Sequence, residues 1–173
     1  MWPGVGQWII KGVSGDMFRG STQLALDGKG RLSIPAKYRE RLMARCGGHL
    51  MLTADPTNGC LLLYPYPEWE VVEARINALP GMDPVSRQLK MLVVGSAEEL
   101  ELDSAGRILV PPMLRKYARL EKDVVLVGQD KKFALWSEPA WQALFEQAAQ
   151  LTEMLNDDAR SGTLPEEIKG FSL

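Results

Sequence analysis

Apolar and polar residues alternate over several short stretches of this chain, and turn residues separate the stretches. Leu24-x-Leu26 has the period of a half-buried strand, and Leu32-x-Ile34 repeats it after Asp27-x-x-Gly30. That spacing predicts a tight turn, because an aspartate side chain bonds nearby backbone N–H groups and glycine accepts positive φ. Pro35 opens a short helix predicted to reach about Ala44, since a missing N–H costs nothing in a first turn. Strands follow near His49–Thr53 and Cys60–Tyr64. From Pro67 the period lengthens to that of a helix, with Val71, Val72, Ile76 and Leu79 as its apolar stripe. Pro80-Gly81 ends this helix, and Asp83-Pro84 caps and starts another that reaches about Val94.

The same order then recurs. Leu26-Asp27-Gly28-Lys29-Gly30-Arg31-Leu32-Ser33-Ile34-Pro35 returns 76 residues later as Leu102-Asp103-Ser104-Ala105-Gly106-Arg107-Ile108-Leu109-Val110-Pro111. Arg39 and Arg115 keep that offset; Leu63-Tyr64 and Leu135-Trp136, and Trp69 and Trp141, stand 72 apart. The four missing residues are expected in the loop Thr53–Gly59, where a deletion costs least. In the second copy a helix to about Ala118 is expected, with strands at Val124–Gly128 and Lys132–Trp136 and one final helix from Glu138-Pro139 to about Leu155. Four short strands bury too little to stand alone, so the two copies should share a core. The fold class expected is mainly β with α, a pseudo-symmetric barrel or sandwich of interleaved hairpins with helical hairpins attached. The divisions are an N-terminal extension 1–16, expected to be disordered, a first module 17–66, a helical linker 67–95, a second module 96–137, and a C-terminal helix with an acidic, mobile tail 138–173.

Met17-Phe18-Arg19-Gly20, Asp27-x-Lys29-Gly30-Arg31, Pro35-x-x-Tyr38-Arg39, Tyr64-Pro65-x-Pro67-Glu68-Trp69, Gly106-Arg107 and Val125-Leu126-Val127-Gly128-Gln129, in this order and duplicated, resemble the MraZ family. Those proteins are transcriptional regulators with tandem AbrB-like modules. The resemblance covers about Met17–Trp141 and implies an AbrB-like double-split β-barrel and an octamer-like ring of identical chains. It also implies binding to short direct repeats in double-stranded DNA ahead of division and cell-wall genes, the regulator's own among them, with repression as the expected sign. Sixteen residues precede the family's characteristic start, and an upstream start choice is the expected origin of Met1–Asp16.

Charge sharpens the picture. The formal net charge is −2, which by itself argues weakly against nucleic acid. Yet from Met17 to Arg45 there are seven cations against two anions, whereas Ala97–Asp123 carries five against six. The first copy is therefore the better DNA candidate. Arg31 offers a planar fork for guanine and Lys29 a point charge for phosphate; the resemblance assigns DNA contact to the position of Arg31. Arg19, Lys37, Arg39 and Arg41 are further candidates for the DNA backbone.

A bland reading stands beside this one. Asp27 with Arg31, and Asp103 with Arg107, recur in both copies together with Gly30 and Gly106, as a charge-assisted turn fastening would. Arg39 recurs as Arg115, so an internal salt bridge competes with phosphate contact. Lys29 has no counterpart but Ala105, which favours a role peculiar to the first copy. Trp69, Trp141, Tyr64, Trp136 and His49 read as packing residues.

Other classes find little support. Glu98-Glu99 are adjacent on a strand and point to opposite faces. No Ser/His/Asp set or phosphate-cradling loop occurs, so an enzyme is disfavoured and no cofactor is expected. A single histidine and no CxxC spacing leave no zinc site. No apolar run is long enough to cross a bilayer, and the start lacks the build of a signal peptide. A cytoplasmic, nucleoid-associated chain with Cys46 and Cys60 reduced is expected. The competing readings are an AbrB-like antitoxin that captures a protein partner, and a scaffold with no DNA role.

Overall fold

The computed structural model describes residues 17–157 together with 162, 165, 166 and 168. The expected N-terminal extension 1–16 and most of the acidic tail lie outside the described residues. Two compact units are present, divided between Glu138 and Pro139.

Among the described residues of the first unit, eight strands fall into two sheets. β1 (Phe18–Ala25), β2 (Arg31–Ser33), β3 (His49–Ala54) and β4 (Leu61–Pro65) come from the first module; β5 (Glu98–Glu101), β6 (Arg107–Leu109), β7 (Asp123–Asp130) and β8 (Lys132–Ser137) come from the second. One sheet has the order β1-β7-β8-β4-β3-β5; the other is the ribbon β2-β6. No closed barrel is formed by these pairings. Exchanging the two modules turns the six-strand order into its own reverse, so the unit has a pseudo-two-fold axis. That axis passes between Leu32 and Ile108, which face each other in the ribbon, and between Leu62 and Ala134 in the large sheet. Every outer strand therefore pairs with the other module: β1 with β7, β5 with β3.

The interleaving follows from burial. Leu32, Ile34, Leu42, Leu50, Leu52, Leu61 and Leu63 of module 1 share one core with Ile108, Val110, Leu114, Val124, Leu126, Phe133 and Leu135 of module 2. Phe18, Tyr38 and Phe133 pack at centroid separations of 5.7, 4.2 and 4.9 Å within it. The expected shared core is thus present.

Helix α1 (Ala36–Cys46) starts after Pro35 and ends at Gly47, whose left-handed φ of 62° lets its N–H reach back to the helix. Its counterpart α4 (Pro112–Tyr117) is five residues shorter. The linker forms α2 (Tyr66–Asn77) and α3 (Pro84–Val93), and Asp83 caps α3 by accepting from the Ser86 N–H at 3.0 Å. These helices cover a second cluster of Met51, Tyr64, Trp69 and Val93, against which Val72 and Ile76 pack. Val71, expected on the same stripe, is half-exposed instead.

Two expectations need correcting. Leu50 pairs with Leu100 and Leu24 with Val124, so β3 and β7 correspond at an offset of 74. Two of the four missing residues are therefore lost between the helix and β7, where α4 is short. The other two are lost at the following hairpin, which closes after Gln129 with Asp130-Lys131, Asp130 taking φ 60°. Nor is the C-terminal helix continuous: α5 (Glu138–Glu146) and α6 (Ala148–Asn156) meet at Gln147, whose ψ of −11° turns the chain out of the first helix. In the second unit Trp141 meets Phe145 edge-on at 5.1 Å.

Candidate nucleic-acid interface

The two Asp-x-x-x-Arg segments fold alike. Asp27 Oδ1 accepts the N–H of Lys29 and of Arg31, each at 2.9 Å, and Oδ2 accepts Arg31 Nε at 2.6 Å. Asp103 accepts from Ala105, Arg107 and Arg107 Nε, each at 2.9 Å. Gly30 and Gly106 close the turns at φ 81° and 73°, where a side chain would be strained. The carboxylates pay for this with their proton affinity. The Arg31 N–H, the Arg31 side chain and the Lys29 N–H hold Asp27 down at about 2, and equivalent bonds lower Asp103. A carboxyl depressed in the folded state contributes stability that is complete above its ordinary value of 3.8 and is lost as the pH falls through about 2. Urea melts taken across that window are expected to show a steep loss in the wild type and a shallower one in Asp27→Asn.

Fastening Arg31 does not use it up. The Nε–H is committed to Asp27, but a guanidinium has five N–H donors, and the four on Nη1 and Nη2 lie beyond it. The side chain is about one-third exposed. Its position matters more: Arg31 stands opposite Leu109 and Arg107 opposite Ser33 in the ribbon, while Leu32 and Ile108 point into the core. Arg31, Ser33, Arg107 and Leu109 therefore share the outer face of one two-stranded ribbon. The two arginines are diagonal neighbours, although 76 residues separate them in the chain.

The six predicted cations do not converge. Lys29, exposed and in no ion pair among the described residues, lies at the turn beside Arg31. Arg19 is roughly 20 Å away along β1. It belongs with Lys37 and Arg41: the Tyr38 hydroxyl donates to the Arg19 carbonyl at 2.8 Å, Lys37 Nζ sits 4.7 Å from the Tyr38 ring, and Arg41 lies over Phe18 at 4.5 Å while donating to the Met17 carbonyl at 2.6 Å. Arg39 serves the other module's turn. Its side chain covers Gly106 so closely that a Cβ there would fall 2.3 Å from Arg39 Cδ, and its Nε donates to the Ile34 carbonyl at 2.5 Å. Packing and a carbonyl bond thus stand where an internal salt bridge was one of two alternatives. Arg115 covers Gly30 in the same way, with a Cβ there 2.7 Å from its Cζ. The recurrence of Arg39, Arg115, Gly30 and Gly106 at one offset was the only trace of this exchange in the sequence.

The remaining candidates are packed. Trp69 of α2 is buried against Met51 and Tyr64, and Tyr64 and Trp136 are buried too. His49 stacks on Tyr66 at 4.1 Å and meets Glu99 at 3.4 Å. Cys46 and Cys60 are free; burial and the neighbouring Asp55 push the Cys60 thiol up to about 12. No group of three His, Cys, Asp or Glu is placed to hold a metal among the described residues, and no helix there is long and apolar enough to cross a membrane.

The model of a family described as "MraZ protein, putative antitoxin-like" matches twice in tandem, at residues 17–92 and 93–161. The chain belongs to the MraZ family. The match falls on the two interleaved modules and carries the second repeat on through α5 and α6. MraZ relatives align along their whole length with 157 residues, 91% of this chain. The protein named Transcriptional regulator MraZ from Nitrosospira multiformis is 50% identical, that from Nitrosomonas europaea 48%, and that from Pseudomonas aeruginosa 46%. The duplicated motifs are thus those of a MraZ-family chain with an α+β fold of tandem modules.

Proposed function

We propose that this chain regulates transcription by binding double-stranded DNA through the outer face of the β2–β6 ribbon and the Lys29 turn beside it. The observation that carries this is the placing of Arg31 and Arg107, each oriented by an aspartate, on one exposed ribbon face. A two-stranded ribbon fits the major groove, and guanidinium groups, a hydroxyl and an apolar tip are the groups that read base edges there. Lys29 supplies sequence-independent attraction to phosphate. Arg19, Lys37 and Arg41 form a separate basic group that would meet the DNA backbone only outside the ribbon's own footprint.

The operator consists of short direct repeats ahead of the division and cell-wall genes and of the chain's own gene, and occupancy represses them. A ring of identical chains, octamer-like, presents several ribbons to successive repeats, so that modest single contacts add up to avid binding. A cytoplasmic, nucleoid-associated location follows from that role. Footprinting on the DNA just upstream of the gene is the direct test. Protection spanning the repeats, shortened when one repeat is deleted, is the expected result; a footprint indifferent to the deletion would overturn the operator assignment.

A second reading has one supporting observation. Helices α5 and α6 expose Leu144, Phe145, Leu151 and Leu155, a surface suited to a protein partner, as an antitoxin-like or scaffold role would need.

A further inference from the structure

Lys122 belongs to module 2 in sequence but to the module 1 turn in space. The Leu26 N–H, just ahead of Asp27, donates to the Lys122 carbonyl at 2.8 Å. The matching bond at the other turn runs from the Leu102 N–H to the Gly48 carbonyl at 3.0 Å. Lysine at one end of the ribbon thus corresponds to glycine at the other. Lys29 corresponds likewise to Ala105. Both turns share one backbone, yet one is flanked by two lysines and the other by none at the same positions. Because the modules interleave, charge counted module by module conceals this: half of the difference comes from the copy with the lower net charge.

A cleft of about 480 Å³ opens beside the module 1 turn, lined by Asp27 and Gly28, by Arg115, and by Leu120, Glu121 and Lys122. Arg115 Nε is buried over Gly30 with no hydrogen-bond partner, whereas the Nε of its counterpart Arg39 donates to the Ile34 carbonyl. Arg115 also lines the cleft, so its positive charge stands beside any anion there. Asp27 is already engaged by Arg31 Nε and two N–H groups, Glu121 is the other anion among the lining residues, and Lys29 follows the lining residue Gly28 in the chain.

We infer that Lys122 and Arg115 of module 2, together with Lys29, form a binding site for one backbone phosphate of the DNA at the module 1 end of the ribbon. This rests on the ribbon being the DNA-binding face. Module 2 then contributes affinity as well as scaffold, and the chain is held asymmetrically, by its Lys29 end.

The test is binding of the full-length protein to two duplexes, one carrying the upstream repeats and one scrambled, measured by fluorescence anisotropy over a range of NaCl concentrations. A phosphate contact has its own signature: its loss weakens binding to any sequence alike and flattens the dependence of log K on log[salt] by about one for each engaged protomer. Lys122→Gln is expected to show both, Lys122→Arg to restore the slope, and Glu121→Gln to tighten binding to both duplexes. Lys122 holds Leu26 through its backbone carbonyl, so these variants keep the fold, which circular dichroism and melting would verify. An unchanged slope in Lys122→Gln, with Arg31→Ala still losing operator binding, would overturn the phosphate site and leave the ribbon reading standing. A loss confined to the operator duplex would also overturn it, since that marks a base contact. A wild-type protein that bound neither duplex would remove both readings.

Discussion

Arg31→Ala is expected to weaken binding to the operator by about ten- to a hundredfold, the worth of one well-made contact to a base edge. Binding to scrambled DNA should fall far less. The fold should survive, because the turn rests on more than this side chain. Asp27 would still accept the N–H groups of residues 29 and 31, and Gly30 would still close the turn through its N–H bond to the Asp27 carbonyl at 3.0 Å. The lost ion pair is about one-third exposed, and pairs in contact with solvent contribute little to stability. Circular dichroism and oligomer size are therefore expected to match the wild type. Arg107→Ala makes the informative companion. It removes the same group from the same ribbon face but from the end that lacks the flanking lysines. A smaller loss than for Arg31→Ala would mean that the Lys29 end approaches the DNA more closely; equal losses would mean that the ribbon lies centred in the groove. Normal operator binding by both variants would remove the ribbon from consideration as the reading face.

The local devices were legible in the sequence because each is local. Asp27-x-x-Gly30 and Asp103-x-x-Gly106 announce their turns through short-range hydrogen bonding, Pro35 and Asp83 announce helix starts, and the recurrence at 76 residues announces a duplicated unit. The expectation of a shared core also came from counting strands. What stayed hidden was which copy touches which. A constant offset looks the same whether Arg39 covers Gly30 in its own module or Gly106 in the other, and only the pairing of β2 with β6, where the Ile34 N–H donates to the Gly106 carbonyl, decides it. For the same reason the first module's seven cations read as one basic patch. In the fold six of them divide between the turn, the Phe18–Tyr38 end of β1 and the partner module's glycine, and the seventh, Arg45, pairs with Glu68 of α2, while Arg115 and Lys122 arrive from the copy that looked neutral. The division of the four-residue deletion was hidden too, because shortening a helix at its C-terminus leaves the flanking hydrophobic pattern intact.

The interleaving also sets how the unit should unfold. Leu32 is fully buried and faces Ile108 on the pseudo-two-fold axis, one residue away from Arg31 on the other side of the ribbon. Removing its side chain to Cβ takes atoms from both modules' packing at once and leaves a cavity that neither can close without disturbing the other. Leu32→Ala is expected to cost about 2–5 kcal/mol, lowering the melting temperature by on the order of 10 °C. The shape of the transition is as informative as its midpoint. Since β1 and β5 each complete their ladders on the opposite module, and one core serves both, the residues up to Glu138 should melt in a single transition in wild type and variant alike. Calorimetry resolving two transitions within that unit, with Leu32→Ala shifting only one, would mean that the modules are energetically separate and that the ribbon joining them contributes little to stability. A single transition displaced as a whole would mean that the DNA-reading face is built on the most cooperative part of the fold, so that Arg31 and Arg107 are held in place by the hydrophobic contact directly beneath them.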